Sequence, residues 1–458
     1  MLGRFFLPAV STAFMLAFPC ISKAVVVSTS LETDTRPADD RGWDNVGILR
    51  GSSGVYLGNR WVVTAAHVGS RNVEFPGIGL FEFEPGSSIQ LKNPPDQDLS
   101  EFADILLYRL KEDPQIAPIQ IAVEAPEIGD EVTLIGNGRT RVDDLTFWQV
   151  RGALWAETEN EASRYQGFKT VEDTTIRWGT NLIESDQLYE TRFDADNNAV
   201  ISTVNEIDTL TLVTEFDKEG TVASSRVKTE DGNTATELEA HAVSRDSGGG
   251  VFFLEDEQWV LGGIINSVVG HTAQPNPVVN AVFGNMTFSS DFSIYRDQIT
   301  SHFVFGDVND DRVISADDID LLSGLIREDS TSLSFDFNRD GVLDQQDRRF
   351  WVNEIKNTEF GDANLDGVFG TRDLVVVFTS AEYEDGIDGN STWATGDWNG
   401  DSDFDSADLV LALQSGRFED SPLVDLDQTH SVPEANPFRF LTLLLCLFLL
   451  GKFHRKRS

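Results

Sequence analysis

Three short segments decide the fold and the chemistry predicted for this chain: Thr64-Ala65-Ala66-His67-Val68, Asp104-Ile105-Leu106-Leu107-Tyr108-Arg109-Leu110 and Asp246-Ser247-Gly248-Gly249-Gly250. In this order they supply a histidine, a carboxylate, and a serine followed by glycines. A serine hydroxyl attacks a carbonyl carbon only when a base takes its proton, and that base must be oriented by a third group. Each segment is weak evidence alone, whereas the ordered set indicates nucleophilic catalysis.

The sequence around these segments has the spacing of short strands. Apolar and polar residues alternate from Val46 to about Ile299, and Gly, Asn and Asp interrupt them at short intervals. Such a pattern predicts many strands and a β-barrel domain. We interpret residues 156–235, which are rich in Thr, Glu and Asp, as an insertion that decorates this barrel.

Over about residues 45–300 the three segments resemble the trypsin-like (chymotrypsin-fold) serine peptidases. The resemblance implies a mainly β double barrel in which His67 is the general base, Asp104 orients it and Ser247 is the nucleophile. It also implies that the backbone N–H groups of Arg245 and Ser247 form the oxyanion hole, and that proteins or peptides are the substrates.

Two features depart from the pattern of that family. The residue two before the nucleophile is usually Gly, so Arg245 predicts a strained turn or a flipped peptide, and loss of one oxyanion donor lowers the rate about 100- to 1000-fold. The zymogens of the family free an Ile-Val-Gly-Gly-like terminus that pairs with the acid before the nucleophile. Asn45-Val46-Gly47-Ile48 matches that motif only weakly. Asp246 therefore needs another partner or stays unpaired, and we predict no zymogen.

The specificity pocket is placed by offset from the nucleophile. The resemblance puts His241 near its base and Asn266, Ser267 and Val268 along its wall. No Asp stands at the base, which argues against a preference for Lys or Arg. We expect a small or uncharged residue before the cleaved bond, and a His base would also accept an acidic residue.

Four twelve-residue loops follow the barrel, and their oxygen-bearing side chains share one spacing. Positions 1, 3, 5, 9 and 12 of such a loop carry oxygens that converge on one cation, and an oxygen-only ligand set selects Ca²⁺. The sequence therefore predicts up to four structural calcium sites and no cofactor for catalysis. The predicted ligands are Asp307, Asn309, Asp311, Ser315 and Asp318; Asp336, Asn338, Asp340, Asp344 and Asp347; Asp362, Asn364, Asp366 and Asp373; and Asp397, Asn399, Asp401, Asp405 and Asp408.

The last ligand of each loop is Asp, and each loop precedes a single amphipathic segment. This pattern resembles dockerin type I repeats, which implies small α-helical EF-hand-like units of two loops each, at residues 305–355 and 360–418. Gly341 and Gly367 supply the sharp turn at position 6, whereas Arg312 and Ser402 stand there in loops one and four and are expected to weaken those sites. A cohesin-like partner and a calcium-stiffened stalk are both open as the role of these units.

The two ends of the chain have the composition of targeting segments. Residues 1–24 are expected to be a signal peptide with Ala24 at its end, and residues 25–44 a leader or spacer. After a linker at 419–437, residues 438–458 combine an apolar stretch with a basic end and resemble the PEP-CTERM sorting signal, although Ala435 replaces its second Pro. A plain C-terminal membrane anchor is the alternative. Cys20 and Cys446 both lie in these terminal segments, so the body contains no disulfide.

The negative net charge argues against nucleic-acid binding, and two hypotheses for the function remain. The net charge of −41 at pH 7, with 30 acidic against 8 basic side chains in residues 301–430, argues against a nucleic-acid partner. The first remaining hypothesis is an exported serine endopeptidase held at the cell envelope, in the periplasm or outside the cell, by its C-terminal region. The second is a catalytically weak or inactive homologue that acts as a calcium-dependent adhesion or scaffold protein.

Overall fold

A computed structural model describes residues 25–29, 33–95, 97–184, 192–193, 200–218, 235–271, 274–275 and 278–419 of the chain. The predicted signal peptide, the sorting or anchor segment and most of the linker before it lie outside these residues. Within the described ranges, no helix is both long and apolar enough to cross a membrane.

Strands dominate the chain up to residue 290, and their lengths and turns follow the alternation of the sequence. In chain order they are β1 Val26–Val27, β2 Val46–Ile48, β3 Ser53–Gly58, β4 Trp61–Thr64, β5 Val73–Phe75, β6 Gly79–Phe81, β7 Ile89–Lys92, β8 Phe102–Arg109, β9 Gln120–Ile121, β10 Glu131–Gly136, β11 Arg139–Arg141 and β12 Thr146–Arg151. The second half contributes β13 Leu154–Thr158, β14 Tyr165–Phe168, β15 Thr170–Thr174, β16 Arg177–Leu182, β17 Arg192–Phe193, β18 Val200–Val204, β19 Ile207–Glu215, β20 Ala240–His241, β21 Gly250–Glu255, β22 Gln258–Val269, β23 Ala281–Val282 and β24 Met286–Ser290.

Two large antiparallel sheets hold the core. One has seven strands in the order β6-β5-β2-β3-β4-β8-β7, and the other has the order β16-β10-β21-β22-β24-β19-β18-β17, with β9 pairing in parallel with β22. Residues such as Val55, Val63 and Leu107 are fully buried inside the first sheet, and Leu134, Val251 and Ile265 belong to the core of the second. Burial of these apolar side chains is the main force that stabilises both sheets.

Tight hairpins set the register of the strands that carry the site. Asn59 and Arg60 join β3 to β4 with φ values of 43° and 67°, and Asp256 and Glu257 join β21 to β22 with values of 50° and 64°. Two consecutive residues in the left-handed region match the right-handed twist of the strands they connect. The turns thereby fix which residues of each strand face the core.

Two sequence-based expectations differ from the structure. The segment 156–235 is more than a decoration, since β16 pairs with β10 and β19 pairs with β24 inside the second sheet. The start of the predicted spacer 25–44 is also part of the fold, because Val26 pairs with His241 and the side chains of residues 25–27 are buried. Three consecutive valines favour an extended, buried strand, so they pack instead of forming a solvated linker.

Helices replace strands after residue 290. They are α1 Phe292–Thr300, α2 Ala316–Arg327, α3 Gln345–Phe350, α4 Thr371–Ser380 and α5 Ser406–Gln414. The chain divides into two compact units, one ending at Trp351 and one beginning at Val352. The first two acidic loops therefore belong to the same unit as the sheets, and the last two loops form the second unit.

Candidate active site

The geometry of His67 and Asp104 follows from the pairing of β4 with β8. Thr64 at the end of β4 lies opposite Leu106 of β8, so the turn after β4 brings His67 over the start of β8. The Nδ1 atom of His67 lies 2.7 Å from Oδ2 of Asp104, and the backbone N–H of His67 donates to Oδ1 of the same carboxylate at 2.8 Å. Two contacts to one carboxylate fix both the ring and the backbone that carries it.

Asp104 is held from three directions. Its side chain is only 1 % exposed, and its backbone N–H donates to the hydroxyl of Thr209 at 2.8 Å. The side-chain amide of Asn266 donates to the backbone carbonyl of Asp104 at 2.8 Å and to Oδ2 at 3.2 Å. A buried carboxylate held by several donors is fixed in position, as the orienting member of a triad must be.

The structure corrects the predicted place of Asn266, which the sequence pattern put on the wall of the specificity pocket. The residue is buried, and the oxygen of its side-chain amide, Oδ1, accepts a hydrogen bond from the Ser290 hydroxyl at 2.6 Å. Asn266 therefore positions Asp104. Sequence offset gave its location in β22 but not the direction of its side chain, which depends on a partner 162 residues away.

The contact to Asp104 also determines which nitrogen of His67 is free to act. Assigned from the hydrogen-bond geometry, Nδ1 carries the proton that is donated to the carboxylate, and Nε2 is then the basic nitrogen. The side chain of His67 is 20 % exposed, so the ring is accessible from solvent on one side. This is the tautomer that accepts a proton from a serine hydroxyl.

The loop of Ser247 packs against the strand end that leads to His67. The carbonyl of Ser247 accepts the backbone N–H of Ser53 at 3.0 Å, and the N–H of Gly248 donates to the carbonyl of Ile265 at 2.8 Å. Gly248 has a φ of 81°, and a Cβ there would lie 2.1 Å from the Ser53 carbonyl oxygen and 2.3 Å from the Thr64 hydroxyl. Only glycine fits this close approach, which keeps the loop beside the turn of His67.

Arg245 has the backbone conformation that the sequence analysis associates with glycine. Its φ is 87°, which is strained for a residue with a Cβ. The side chain is exposed, and Nη1 donates to the carbonyl of Glu172 at 3.2 Å. Among the residues that the structure describes, neither the Arg245 nor the Ser247 backbone N–H donates to another protein group. Free donors of this kind are what an oxyanion hole requires.

His241 is deeper than a pocket base that contacts substrate charge. It is fully buried in β20, its Nδ1 lies 2.9 Å from the Thr287 hydroxyl, and its ring stacks on Phe216 with the centroids 5.5 Å apart. Burial lowers the pKa of His241 to about 3, so the ring is neutral at physiological pH. A neutral imidazole gives no charge with which to bind an acidic side chain. Val268 is half-buried further along β22.

The four acidic loops share one backbone conformation. Position 6 has a positive φ in each, at 69° for Arg312, 89° for Gly341, 91° for Gly367 and 77° for Ser402. Arg312 and Ser402 thus make the same turn as the glycines. The loop carboxylates are satisfied by backbone N–H groups, as where Asp318 accepts from the second, third and ninth residues of its loop.

The helices begin inside the loops, at position 10, so the predicted ligand at position 12 lies in the first helical turn. Ser315, Asp344 and Asp405 at position 9 cap α2, α3 and α5, each with the position-12 Asp completing a capping box. In the described part of the chain, no three His, Cys, Asp or Glu side chains are grouped as metal ligands. A calcium ion held here would therefore need the Asn and backbone oxygens of the loop as well as its carboxylates.

One family model matches part of the chain. The trypsin family model matches residues 33–187, a stretch that contains His67 and Asp104 and ends before Ser247. The match supports a mainly β, trypsin-like serine peptidase domain, as the sequence resemblance implied. None of the curated proteins compared matches the chain.

Solved structures with similar backbones include two peptidases. Kallikrein-related peptidase 10 in complex with Zn²⁺ is 15 % identical with a TM-score of 0.30, and the alignment covers 57 % of this chain and 96 % of that one. Mouse neuropsin, a serine protease expressed in the limbic system, is 15 % identical with a TM-score of 0.32, over 59 % of this chain and 97 % of that one.

Proposed function

We propose that the protein is an exported serine endopeptidase that cleaves peptide bonds through His67, Asp104 and Ser247. The observation that carries the proposal is the pair of hydrogen bonds from His67 to the buried Asp104, made by Nδ1 and the backbone N–H. A histidine without a catalytic role does not require a buried carboxylate as its partner. Here the partner carboxylate is itself held in place by Thr209 and Asn266. The family match over residues 33–187 supports the same class of enzyme.

The proposed reaction uses the residues in two steps. Nε2 of His67 takes the hydroxyl proton of Ser247 as its oxygen attacks the substrate carbonyl, and Asp104 stabilises the imidazolium that forms. The backbone N–H groups of Arg245 and Ser247 receive the charge that develops on the carbonyl oxygen. The imidazolium then gives its proton to the leaving amine, and water repeats the cycle on the acyl-enzyme.

A fluorophosphonate probe tests this proposal directly, because it reacts only with a serine that is activated as a nucleophile. We expect the wild-type chain to be labelled, and both Ser247→Ala and His67→Ala to lose labelling about 1000-fold or more while both variants remain folded. Ser244→Ala is the matched control, since this serine lies in the same loop and its hydroxyl binds no other described residue. A folded wild-type protein that takes up no probe would refute the peptidase function.

The strained turn at Arg245 favours the second candidate function. If its peptide does not present an N–H to the substrate, one oxyanion donor is lost and the enzyme is about 100- to 1000-fold slower. The protein would then act as a calcium-dependent adhesion or scaffold protein. A folded chain that resists the probe but binds cell-surface material in a calcium-dependent way is the outcome that this alternative predicts.

The acidic loops and the two terminal segments complete the proposal. We infer that the loops bind Ca²⁺, because all four combine buried first and last carboxylates with the same turn at position 6. Calcium would neutralise these carboxylates and stiffen the region that joins the peptidase to the predicted membrane or sorting segment. A cohesin-like protein is the partner that the dockerin resemblance suggests.

A further inference from the structure

A cleft lined by aromatic rings lies on a four-stranded sheet of the peptidase domain, outside the residues proposed for catalysis. The strands have the order β13-β12-β14-β23, and Trp148 of β12 pairs with Glu157 of β13 and with Tyr165 of β14. Directly paired residues of neighbouring strands point to the same face, so these side chains share one face of the sheet. The aromatic cleft on this face has a volume of about 190 Å³. Its lining includes Trp148, Trp155 and Glu157 of the sheet, and Gln274, Pro275 and Asn280 of the segment after β22.

Four rings pack together at the aromatic cleft. The centroid of the Trp155 ring lies 4.8 Å from that of Tyr165, 6.5 Å from that of Trp148 and 6.2 Å from that of His271. The imidazole of His271 is held in place, because its Nε2 lies 2.8 Å from the carbonyl oxygen of Phe283. Burial lowers the pKa of His271, so this ring is uncharged at neutral pH. Packed, uncharged rings of this kind form a rigid surface for an apolar group of a ligand.

Trp148 and Tyr165 also line a second and wider cleft. Its volume is about 420 Å³, and its lining includes the polar side chains of Asn160, Ser163 and Arg164. Because Trp148 borders both clefts, it lies between two neighbouring depressions of the surface. Two such depressions fit an extended peptide that presents one apolar group to each of them better than they fit a single compact molecule.

The aromatic cleft has an unused hydrogen-bond donor, whereas its amide acceptors are already bound. The indole N–H of Trp155 is shielded from solvent and has no partner among the described residues. By contrast, Oε1 of Gln274 accepts the backbone N–H of His271 at 3.1 Å. Oδ1 of Asn280 accepts the backbone N–H of Thr170 at 3.2 Å. A buried donor without a partner is destabilising, so a ligand that brings acceptors and no donors matches this lining best.

The charged groups around the clefts already have partners as well. The Glu157 carboxylate lies 2.8 Å from the ammonium group of Lys169, and the guanidinium of Arg164 lies 4.5 Å from the centroid of the Tyr165 ring. A cationic ligand would therefore compete with Lys169 for the carboxylate and with Arg164 for the ring. Trp155 belongs to the edge strand β13 and is only partly buried, so its ring can turn its N–H toward a neutral acceptor.

We propose that the two clefts bind a proline-rich segment of the protein substrate in the polyproline II conformation, next to the strand that leads to the specificity pocket. Proline has an apolar ring and no backbone N–H, so such a segment offers carbonyl acceptors without matching donors. Its conformation is largely formed before binding, which reduces the entropy lost in the complex. This proposal rests on the proposed function, because it names a class of peptide substrate for the same enzyme.

Strand β22 connects the aromatic cleft to the predicted specificity pocket. It contains Ser267 and Val268, which the resemblance puts along the pocket wall, and it ends at Val269, shortly before His271. Val268 and His271 are three positions apart, which corresponds to at most about 11 Å of extended chain. Polyproline II rises about 3.1 Å per residue, so about three or four residues of substrate bridge the pocket and the cleft.

Binding is tested by fluorescence anisotropy with a labelled proline decapeptide and the full-length Ser247→Ala chain. We expect saturable binding of this peptide and none of an equally labelled decapeptide of alternating Ala and Gly. Trp155→Phe keeps an aromatic ring and removes the indole N–H, so it should raise the Kd about three- to tenfold. Trp259→Phe is the matched control and should leave the Kd unchanged, because Trp259 is a half-buried tryptophan of β22 that lines neither cleft. Absence of binding, an equal Kd in Trp155→Phe, or displacement of the peptide by maltotriose, which would indicate a glycan site, would each overturn the proposal.

A kinetic measurement separates this proposal from the peptidase function. Fluorogenic peptides that the wild-type chain cleaves are compared with versions that carry a four-proline tract three or four residues from the cleaved bond. We expect the tract, on one side of that bond, to raise kcat/KM about tenfold through a lower KM, since the added contacts are present before and during the reaction. The increase should be smaller in Trp155→Phe and unchanged in Trp259→Phe. Equal kcat/KM for both kinds of peptide, in a wild type that reacts with a fluorophosphonate, would overturn the substrate role and retain the peptidase. Peptide binding without fluorophosphonate labelling would instead remove the peptidase function and retain the ligand of the clefts.

Discussion

At the scale of single residues, Arg245 has the largest positive φ, 87°, of the non-glycine residues that the structure describes. An L-residue in the left-handed region is destabilised by about 1–2 kcal/mol relative to glycine, and glycine in turn loses about 0.5–1 kcal/mol through its freer unfolded chain. The first effect is the larger, so the turn is expected to gain stability from glycine. The hydrogen bond from Arg245 to Glu172 is exposed and offsets little of this strain.

Arg245→Gly should raise stability slightly and speed the chemistry. We expect a gain of about 0.5–1 kcal/mol in the free energy of unfolding and an increased rate of fluorophosphonate labelling, because the Ser244–Arg245 peptide relaxes toward the geometry of an oxyanion donor. Arg50→Gly is the matched control, since Arg50 is exposed in a neighbouring turn with a φ of 47°. It should change stability by a similar amount and leave the labelling rate unaltered. Slower labelling of Arg245→Gly would contradict the role given to this peptide.

At the scale of elements, the two-residue strand β20 joins several parts of the second sheet. His241 pairs through its backbone with Val26, binds Thr287 of β24 and stacks on Phe216. An imidazole held in this apolar packing has no partner for a second proton, which is why its pKa falls to about 3. The folded state therefore resists protonation of His241, whereas the unfolded chain takes up the proton near pH 6.5.

Stability should consequently depend on pH through this residue. Because the pKa is lower in the folded state, protonation favours unfolding, and the contribution is lost as the pH falls below 6.5 and is constant above it. Between pH 7.5 and pH 5.0 we expect the wild type to lose about 2 kcal/mol more than His241→Gln does, measured by urea unfolding of both. His302→Gln is the control, because burial shifts the pKa of that partly exposed ring less. Parallel pH curves for wild type and His241→Gln would exclude this effect.

Elements also show what could be predicted from sequence. The strands around His67 and Asp104 and the helices after the acidic loops are local patterns, and the prediction of a mainly β peptidase domain is confirmed by the family match. The role of Asn266 and the burial of Val25 are not local. Asn266 reaches an acid 162 residues away, and Val25 is buried next to β1, which pairs with the distant strand β20. No spacing rule relates such residues, so sequence reasoning put one in the pocket and the other in a spacer.

At the scale of the whole molecule, the first two acidic loops are joined to the sheets by specific polar contacts within one compact unit. The guanidinium of Arg339, at position 4 of the second loop, donates to the carbonyl of Pro118 at 2.7 Å and to the side-chain carbonyl of Asn45 at 2.8 Å, and it also pairs with Asp40. In the first loop, the carbonyl of Asp307 accepts the side-chain amide of Asn59 at 2.7 Å. These partners lie in the segments that flank strands of the peptidase domain: Asn45 precedes β2, Asn59 follows β3 and Pro118 precedes β9.

Calcium, if it binds these loops, should therefore stabilise the peptidase domain as well as the loops. Arg339 has a φ of 60° that belongs to the folded loop, so an ion that orders the loop also holds the guanidinium against residues 40–45 and 117–118. We expect a chelator to increase amide hydrogen exchange in those two stretches of the wild-type chain and to lower its melting temperature. In Arg339→Ala the exchange there should be high with or without calcium, while Arg349→Ala, an exposed arginine of the same unit, should behave like the wild type. If the rate of amide hydrogen exchange in these stretches is the same with and without chelator in every variant, the loops either bind no calcium or do not transmit its effect. Isothermal titration of Ca²⁺ into the same proteins distinguishes these two cases.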